Sequence, residues 1–187
     1  MKYRWSIAPP QPLLANELAA RLDISPLLAQ CLLNRGLSEP LTAGEFLTPR
    51  LKNLTDPFNL PDMAAAVDRL MRARQAGERL VIFGDYDVDG VTSTTILYEF
   101  FKEFGWRVEY YLPSRMDEGY GLSRDGVENC LSHFNPGGAG DCGATELIRL
   151  LLAVDCGSTA VATIQWLETR GVEVIVLDHH QVSEPPP

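Results

Sequence analysis

The segment RLVIFGDYDVDG (79–90) sets three aspartates, Asp85, Asp87 and Asp89, on alternate positions directly after a short apolar run. Like charges held this close repel and raise one another's pKa. A bound divalent cation relieves that conflict, and hard carboxylate oxygens suit Mg2+ or Mn2+. An EF-hand calcium loop is excluded, because the twelfth position counted from Asp85 is Ile96, where that loop needs a glutamate. The competing reading is a solvated acidic turn.

The pattern around this motif alternates between strand and helix periods. MAAAVDRLMRARQAG (63–77) reads as an amphipathic helix ended by Gly77, and RLVIF (79–83) as a buried strand. VTSTTILYEFFKEFG (91–105) is expected to be helical, RVEYYL (107–112) a strand, and SRDGVENCLSHF (123–134) a helix capped by Ser123. LLLAV (150–154) and VEVIVL (172–177) are the remaining strands, joined by a helix over 158–171 with Ser158 or Thr159 as cap. Such alternation predicts an α/β fold with a mostly parallel sheet flanked by helices.

A small helical region precedes this, giving expected domains at 1–60 and 61–187. Leu13, Leu14, Leu18 and Leu22 are spaced for one helical face. Ser25 and Pro26 start a second helix that Gly36 stops, and Thr42 with Glu45 fits a capping box for a third. PRLKNLTDPFNLPD (49–62) reads as a linker. The glycine-rich stretch 135–146 reads as a surface loop, since it lacks the G-K-[ST] ending of a P-loop. The closing EPPP reads as a linker or an arbitrary cut.

Bulk properties narrow the class. No apolar run reaches the ~20 residues of a membrane span, and no secretory signal is apparent. The four cysteines, Cys31, Cys130, Cys142 and Cys156, form no C-x-x-C pair, so reduced thiols are expected. Cys156 neighbours a candidate carboxylate, but a small buried residue in a tight turn is the preferred reading over a nucleophile. The net charge of −9 runs against a generic basic nucleic-acid binder. It suits a carboxylate-rich site whose bound cations offset part of the charge.

Two further motifs follow predicted strands. VDCGST (154–159) carries Asp155, and LDHHQ (177–181) carries Asp178, His179 and His180. Alone, each is compatible with an ordinary turn. Ligands in open parallel sheets bind beyond the carboxyl ends of the strands, so all three motifs are expected to converge on one rim. Mixed imidazole and carboxylate ligands tilt the choice toward Mn2+. Two cations ~3.5–4 Å apart would serve in-line phosphoester hydrolysis without a side-chain nucleophile.

GDYDVDGVTST, VDCGST and LDHHQ resemble the first three motifs of the DHH phosphoesterases, in the form found in RecJ-type exonucleases. PSRMDEGYGLS (113–123) and the lead-in RGLSEPLTAGEFLTPRLKNLTDPFNLPDM (35–63) resemble that family too. The resemblance implies a 5′→3′ exonuclease that degrades single-stranded DNA in recombination and repair. A cytoplasmic location away from membranes is the default without a span or signal, and a monomer with repair or replication proteins as partners is expected. The resemblance also implies that Asp85, Asp87, Asp89, Asp155 and His179 are metal ligands or their immediate supports, with Asp178 and His180 completing the third motif. Which histidine binds metal, and which orients a ligand or meets the scissile phosphate, stays open. Arg115 is either a phosphate contact or a surface charge, and Tyr120 either a base-stacking platform or a loop residue. The family continues past the third motif with a fourth metal-binding aspartate and further domains, so this chain is expected to be an incomplete part of the enzyme. The alternatives are a DHH enzyme of small phosphates or short oligonucleotides, and a non-catalytic nucleic-acid-binding scaffold.

Overall fold

A computed structural model describes residues 6–114, 116–135 and 147–187. The chain divides into two compact units, Met1–Asn59 and Leu60–Pro187.

The first unit holds helices α1 (Pro12–Leu22), α2 (Pro26–Leu33) and α3 (Pro40–Leu47), then short 3-10 turns at Leu51–Asn53 and Pro57–Asn59. Each helix opens on a proline, whose fixed φ suits the first turn and whose missing N–H costs nothing there. Ser25 caps α2 by accepting from the Leu28 amide at 3.2 Å. The core is built from small residues, Ala15, Ala19, Ala29 and Ala43, with Leu18 and Leu32. Two expectations are corrected here. Leu13 and Leu14 are exposed, because the alanines rather than the first leucines face the neighbouring helices. Thr42 does not cap α3, because Pro40 already starts the helix behind Glu39.

The second unit is a four-stranded, all-parallel sheet of order β2-β1-β3-β4. Its strands are β1 (Arg79–Phe83), β2 (Val108–Tyr111), β3 (Ile148–Val154) and β4 (Glu173–Leu177). The helices are α4 (Met63–Ala76), α5 (Val88–Glu103), α6 (Arg124–Phe134) and α7 (Val161–Glu168). Period-2 alternation splits the central strands between two cores. Val81, Phe83, Leu151 and Ala153 pack with α6 and α7 residues Val127, Ile164 and Leu167. Leu80, Ile82, Leu150, Leu152 and Val154 pack with α4 and α5 residues Ala73 and Phe101. Each fully buried Val, Leu, Ile or Phe among them contributes about 1.5–3 kcal/mol. The chain leaves β1 outward to β2, then crosses back to β3 and β4. The direction of winding therefore reverses between β1 and β3, which opens a crevice at their carboxyl ends.

Two helix starts differ from expectation. α5 begins at Val88, not Val91, because the Asp87 carboxylate accepts from the Asp89 and Gly90 amides and turns DG into a first helical turn. α7 begins at Val161 without a side-chain cap. Residues 157–160 instead form a turn closed by Ala160 N donating to Gly157 O at 2.8 Å. Of the glycine-rich stretch 135–146, all but Asn135 lies outside the described residues.

Gly90 lets α5 start against the strand end. A Cβ there would sit 2.4 Å from the Asp85 carbonyl oxygen, a backbone atom with little room to move. Gly90→Ala is expected to cost about 1–3 kcal/mol. Thermal unfolding of the metal-free protein should show this as a drop of several degrees, and an unchanged melting temperature would contradict the packing described.

Candidate metal centre

The carboxyl ends of β1, β3 and β4 carry the three motifs, and the motifs meet in the crevice. Asp85, just past β1, is fully buried. Its Oδ1 accepts from the Tyr86 amide at 2.7 Å, while Oδ2 has no hydrogen-bond partner among the described residues. Burial pushes its pKa up, with the Tyr86 amide opposing and Asp87 repulsion adding to the rise. Asp155, just past β3, is also buried and adopts a left-handed conformation, φ 61°, which Asp tolerates better than most residues. Its amide donates to Leu177 O at 2.9 Å, tying the β3 end to β4. Its Oδ2 is likewise orphaned.

His179 Nε2 lies 3.0 Å from Asp155 Oδ1, and His180 Nδ1 lies 3.9 Å from the same oxygen. Asp155, His179 and His180 each offer a ligand atom within 4.8 Å of the others. Asp87, the cap of α5, comes within hydrogen-bonding reach of Asp155. The Gly90 amide holds Asp87 below its usual carboxyl range. Burial and the neighbouring Asp87 push Asp155 up, with both histidines opposing. Of these two carboxyls, Asp155 binds a proton the more tightly when no cation is present.

Asp178 plays a different part. It accepts from the Ser158 amide at 3.0 Å, the His180 amide at 3.1 Å and His180 Nδ1 at 2.8 Å. Burial opposes its ionisation, but these donors win and hold it well below the usual range. In return, the hydrogen bond to Asp178 raises His180. An ionised Asp178 fixes the proton on Nδ1 and leaves His180 Nε2 for a ligand. In the sequence Ser158 stands only as a candidate helix cap, with no signal that its amide reaches Asp178, 20 positions downstream.

Asp89 stands apart from the tight cluster and lines a groove with Ser93, Ile96, Asp155 and His179. Tyr120 is exposed and packs edge-on against Tyr86 at 5.9 Å between ring centroids. It borders a second cleft of about 470 Å³ with Cys156, Ser158 and His180. Desolvation and then the Asp85, Asp87 and Asp155 carboxylates raise its phenol. Arg115 lies outside the described residues. Cys156 is buried, its thiol within 3.9 Å of Phe83 O, and burial pushes its pKa far up. It is a packing residue and not a nucleophile. Cys31, Cys130 and Cys156 are unpaired by disulfides, while Cys142 falls outside the described residues.

The N-terminal domain of the DHH family matches residues 79–187, which covers all three motifs and the whole sheet. The chain belongs to the DHH family. Among its DHH relatives, the single-stranded-DNA-specific exonuclease RecJ of Bacillus subtilis is 33% identical over 96% of this chain and 21% of its own length. The RecJ of Thermus thermophilus is 34% identical over 100% of this chain and 25% of its own length. This chain therefore spans about a fifth to a quarter of those curated relatives. A crystal structure of Thermus thermophilus RecJ in complex with Mn2+ superposes with a TM-score of 0.60 at 30% identity, covering 97% of this chain and 23% of that one. A second exonuclease RecJ structure, bound to manganese, gives 0.57 at 37% identity over 68% of this chain and 30% of that one. The four-stranded parallel sheet is thus the DHH sheet.

The donor set of this DHH site fits a divalent cation. Two buried carboxylate oxygens lack donors, and imidazole nitrogens stand beside them. Because Asp85 and Asp155 bind protons more tightly when folded, their stabilisation is full below the ordinary carboxyl range and is lost as pH rises through their folded pKa. Asp178 acts in the opposite sense, stabilising above its unfolded pKa and losing that effect as pH falls through the folded one. Without metal, Asp155→Asn should melt above the wild type at about pH 7.5, with the gap closing as pH falls toward about 4. A gap independent of pH, measured by calorimetry in chelator, would rule out charge as its origin.

Proposed function

We propose that the protein is a metal-dependent 5′→3′ exonuclease that hydrolyses phosphodiester bonds of single-stranded DNA. The observation that carries this reading is the pair of orphaned buried carboxylate oxygens, on Asp85 and Asp155, beside His179 and His180. The RecJ relatives named single-stranded-DNA-specific, and their manganese complexes, support the substrate class and the cation. Asp85, Asp87, Asp155 and His179 would hold Mn2+ or Mg2+, with Asp89 at the edge of the same groove. Such a cation supplies Lewis acidity, polarising a phosphoryl oxygen and acidifying a water nucleophile.

The chain's own residues do the rest. Asp178 orients His180, whose Nε2 meets either the cation or the scissile phosphate. Asp87 holds the start of α5 and its own carboxylate in one geometry. Tyr120, braced by Tyr86, offers its ring to a nucleobase. Buried Cys156 takes no covalent part. Recombination and repair in the cytoplasm, as a monomer with repair or replication partners, is the cellular setting proposed. The unit before residue 60 serves as a docking or positioning region. No described helix is long and apolar enough to cross a membrane.

The test is release of mononucleotides from 5′-labelled single strands by the full-length protein, with and without Mn2+. Metal-dependent release is expected. Pyrophosphate cleaved in preference to long strands would replace the substrate class. Absence of both turnover and Mn2+ binding would favour a scaffold. Asp155→Ala and His179→Ala should each lower kcat by at least about a hundredfold, and wild-type rates from either variant would remove those residues from the site.

A further inference from the structure

A buried carboxylate outside the metal cluster is left without a role by the chemistry above. Glu118 is 6% exposed and lies in the connection from β2 to α6. Its Oε1 accepts from the Tyr111 hydroxyl and from Asn129 Nδ2 at 2.7 Å, and its Oε2 accepts from the Ser114 amide. One anion thus gathers the end of β2, the body of α6 and the start of the connection. Its own backbone is used too: the Glu118 amide donates to Ser114 O at 3.0 Å, and the Ser123 hydroxyl donates to Glu118 O.

These bonds bracket Tyr120. Gly119 and Gly121 on either side of it have φ of 82° and 65°, a local turn that pushes the ring outward. Leu122 anchors the far side in the core at 4% exposure. Tyr111 stacks on Phe83 at 5.7 Å, so the Glu118 cluster is tied to the residue just before the Gly84–Asp85 turn. The connection is therefore held to the same strand that carries Asp85.

We propose that Glu118 is a positioning residue for substrate: it locks the turn that presents Tyr120 beside the metal centre, without itself meeting metal or substrate. The proposal rests on the nuclease reading. A charged acceptor holding three donors in a nearly dry site is worth more than neutral ones, and a connection without it would sample many positions. Glu118 stays ionised because these donors outweigh its burial.

Glu118→Gln keeps the size and removes the charge. In the full-length protein it should raise KM for single-stranded DNA about tenfold and leave kcat within about twofold. Mn2+ affinity by calorimetry should be unchanged, and hydrogen exchange over 116–123 should quicken while β1 and β3 keep their protection. Asn129→Ala, which removes one donor, should raise KM about threefold. A merely structural role would instead lower kcat in step with the folded fraction and leave KM alone, and that split would overturn the proposal. An active wild type with unaltered KM in Glu118→Gln defeats only this inference. A wild type without turnover defeats the nuclease reading, and this inference with it.

Discussion

Asp85 and Asp155 each keep a carboxylate oxygen away from water and from any described donor, and Asp87 adds a third charge within reach of Asp155. Burying like charges together is among the most costly arrangements a fold can contain. Two of these carboxylates are held by the backbone that surrounds them, while Asp87 is exposed. β1 and β3 are hydrogen-bonded neighbours, so the two aspartates that follow them are held side by side by the sheet itself. The Asp87 cap fixes the third through the first turn of α5. Repulsion that would otherwise spread the side chains into solvent is held within a donor set that suits a cation.

That retention needs rigidity on both sides of the crevice. Central-strand residues are buried on both faces, in two cores that meet at the sheet. The reversal of winding between β1 and β3 sends their following segments to opposite faces. Neither segment fills the gap between them. The loop after β4 then closes the rim from a third side, through Asp178 on the Ser158 amide and Ser183 N on Ser158 O at 3.0 Å. The candidate site is thus borne by strand ends that the hydrophobic core fixes, with short loops adding orientation.

The strands and the convergence of the three motifs were legible in the sequence because each strand is a short apolar run and each motif follows one directly. Helix starts were less legible. DVDG reads as loop from propensity, yet the Asp87 side chain satisfies two amides and makes it helix. At 158–160 the error runs the other way: Ser and Thr look like caps, but the Ser158 amide is claimed by Asp178, which lies 20 positions downstream. The first unit misled for a related reason, since leucine spacing says which residues share a face and not whether that face or the alanine face is inside. In the third motif, the sequence places Asp178 beside two histidines without a specific part, and the structure shows its oxygens accepting from the Ser158 amide, the His180 amide and His180 Nδ1. Glu118 gave no signal, because a glutamate in a polar loop normally marks solvent.

The net charge of −9 takes on a specific meaning in this setting. A single-stranded polyanion approaching an empty cluster of carboxylates meets a field that repels it, and the low-dielectric walls of the crevice strengthen that field. Cations bound there would offset part of that local negative charge. On the proposed reading, metal loading and polyanion binding would be coupled through electrostatics alone, before any bond to phosphate is considered. Residues that grip substrate by other means, such as an aromatic face stacked on a base, are the ones whose contribution survives salt and surface repulsion. Under the proposed function, the exposed Tyr120 ring, between two left-handed glycines and backed by Tyr86, would be such a residue.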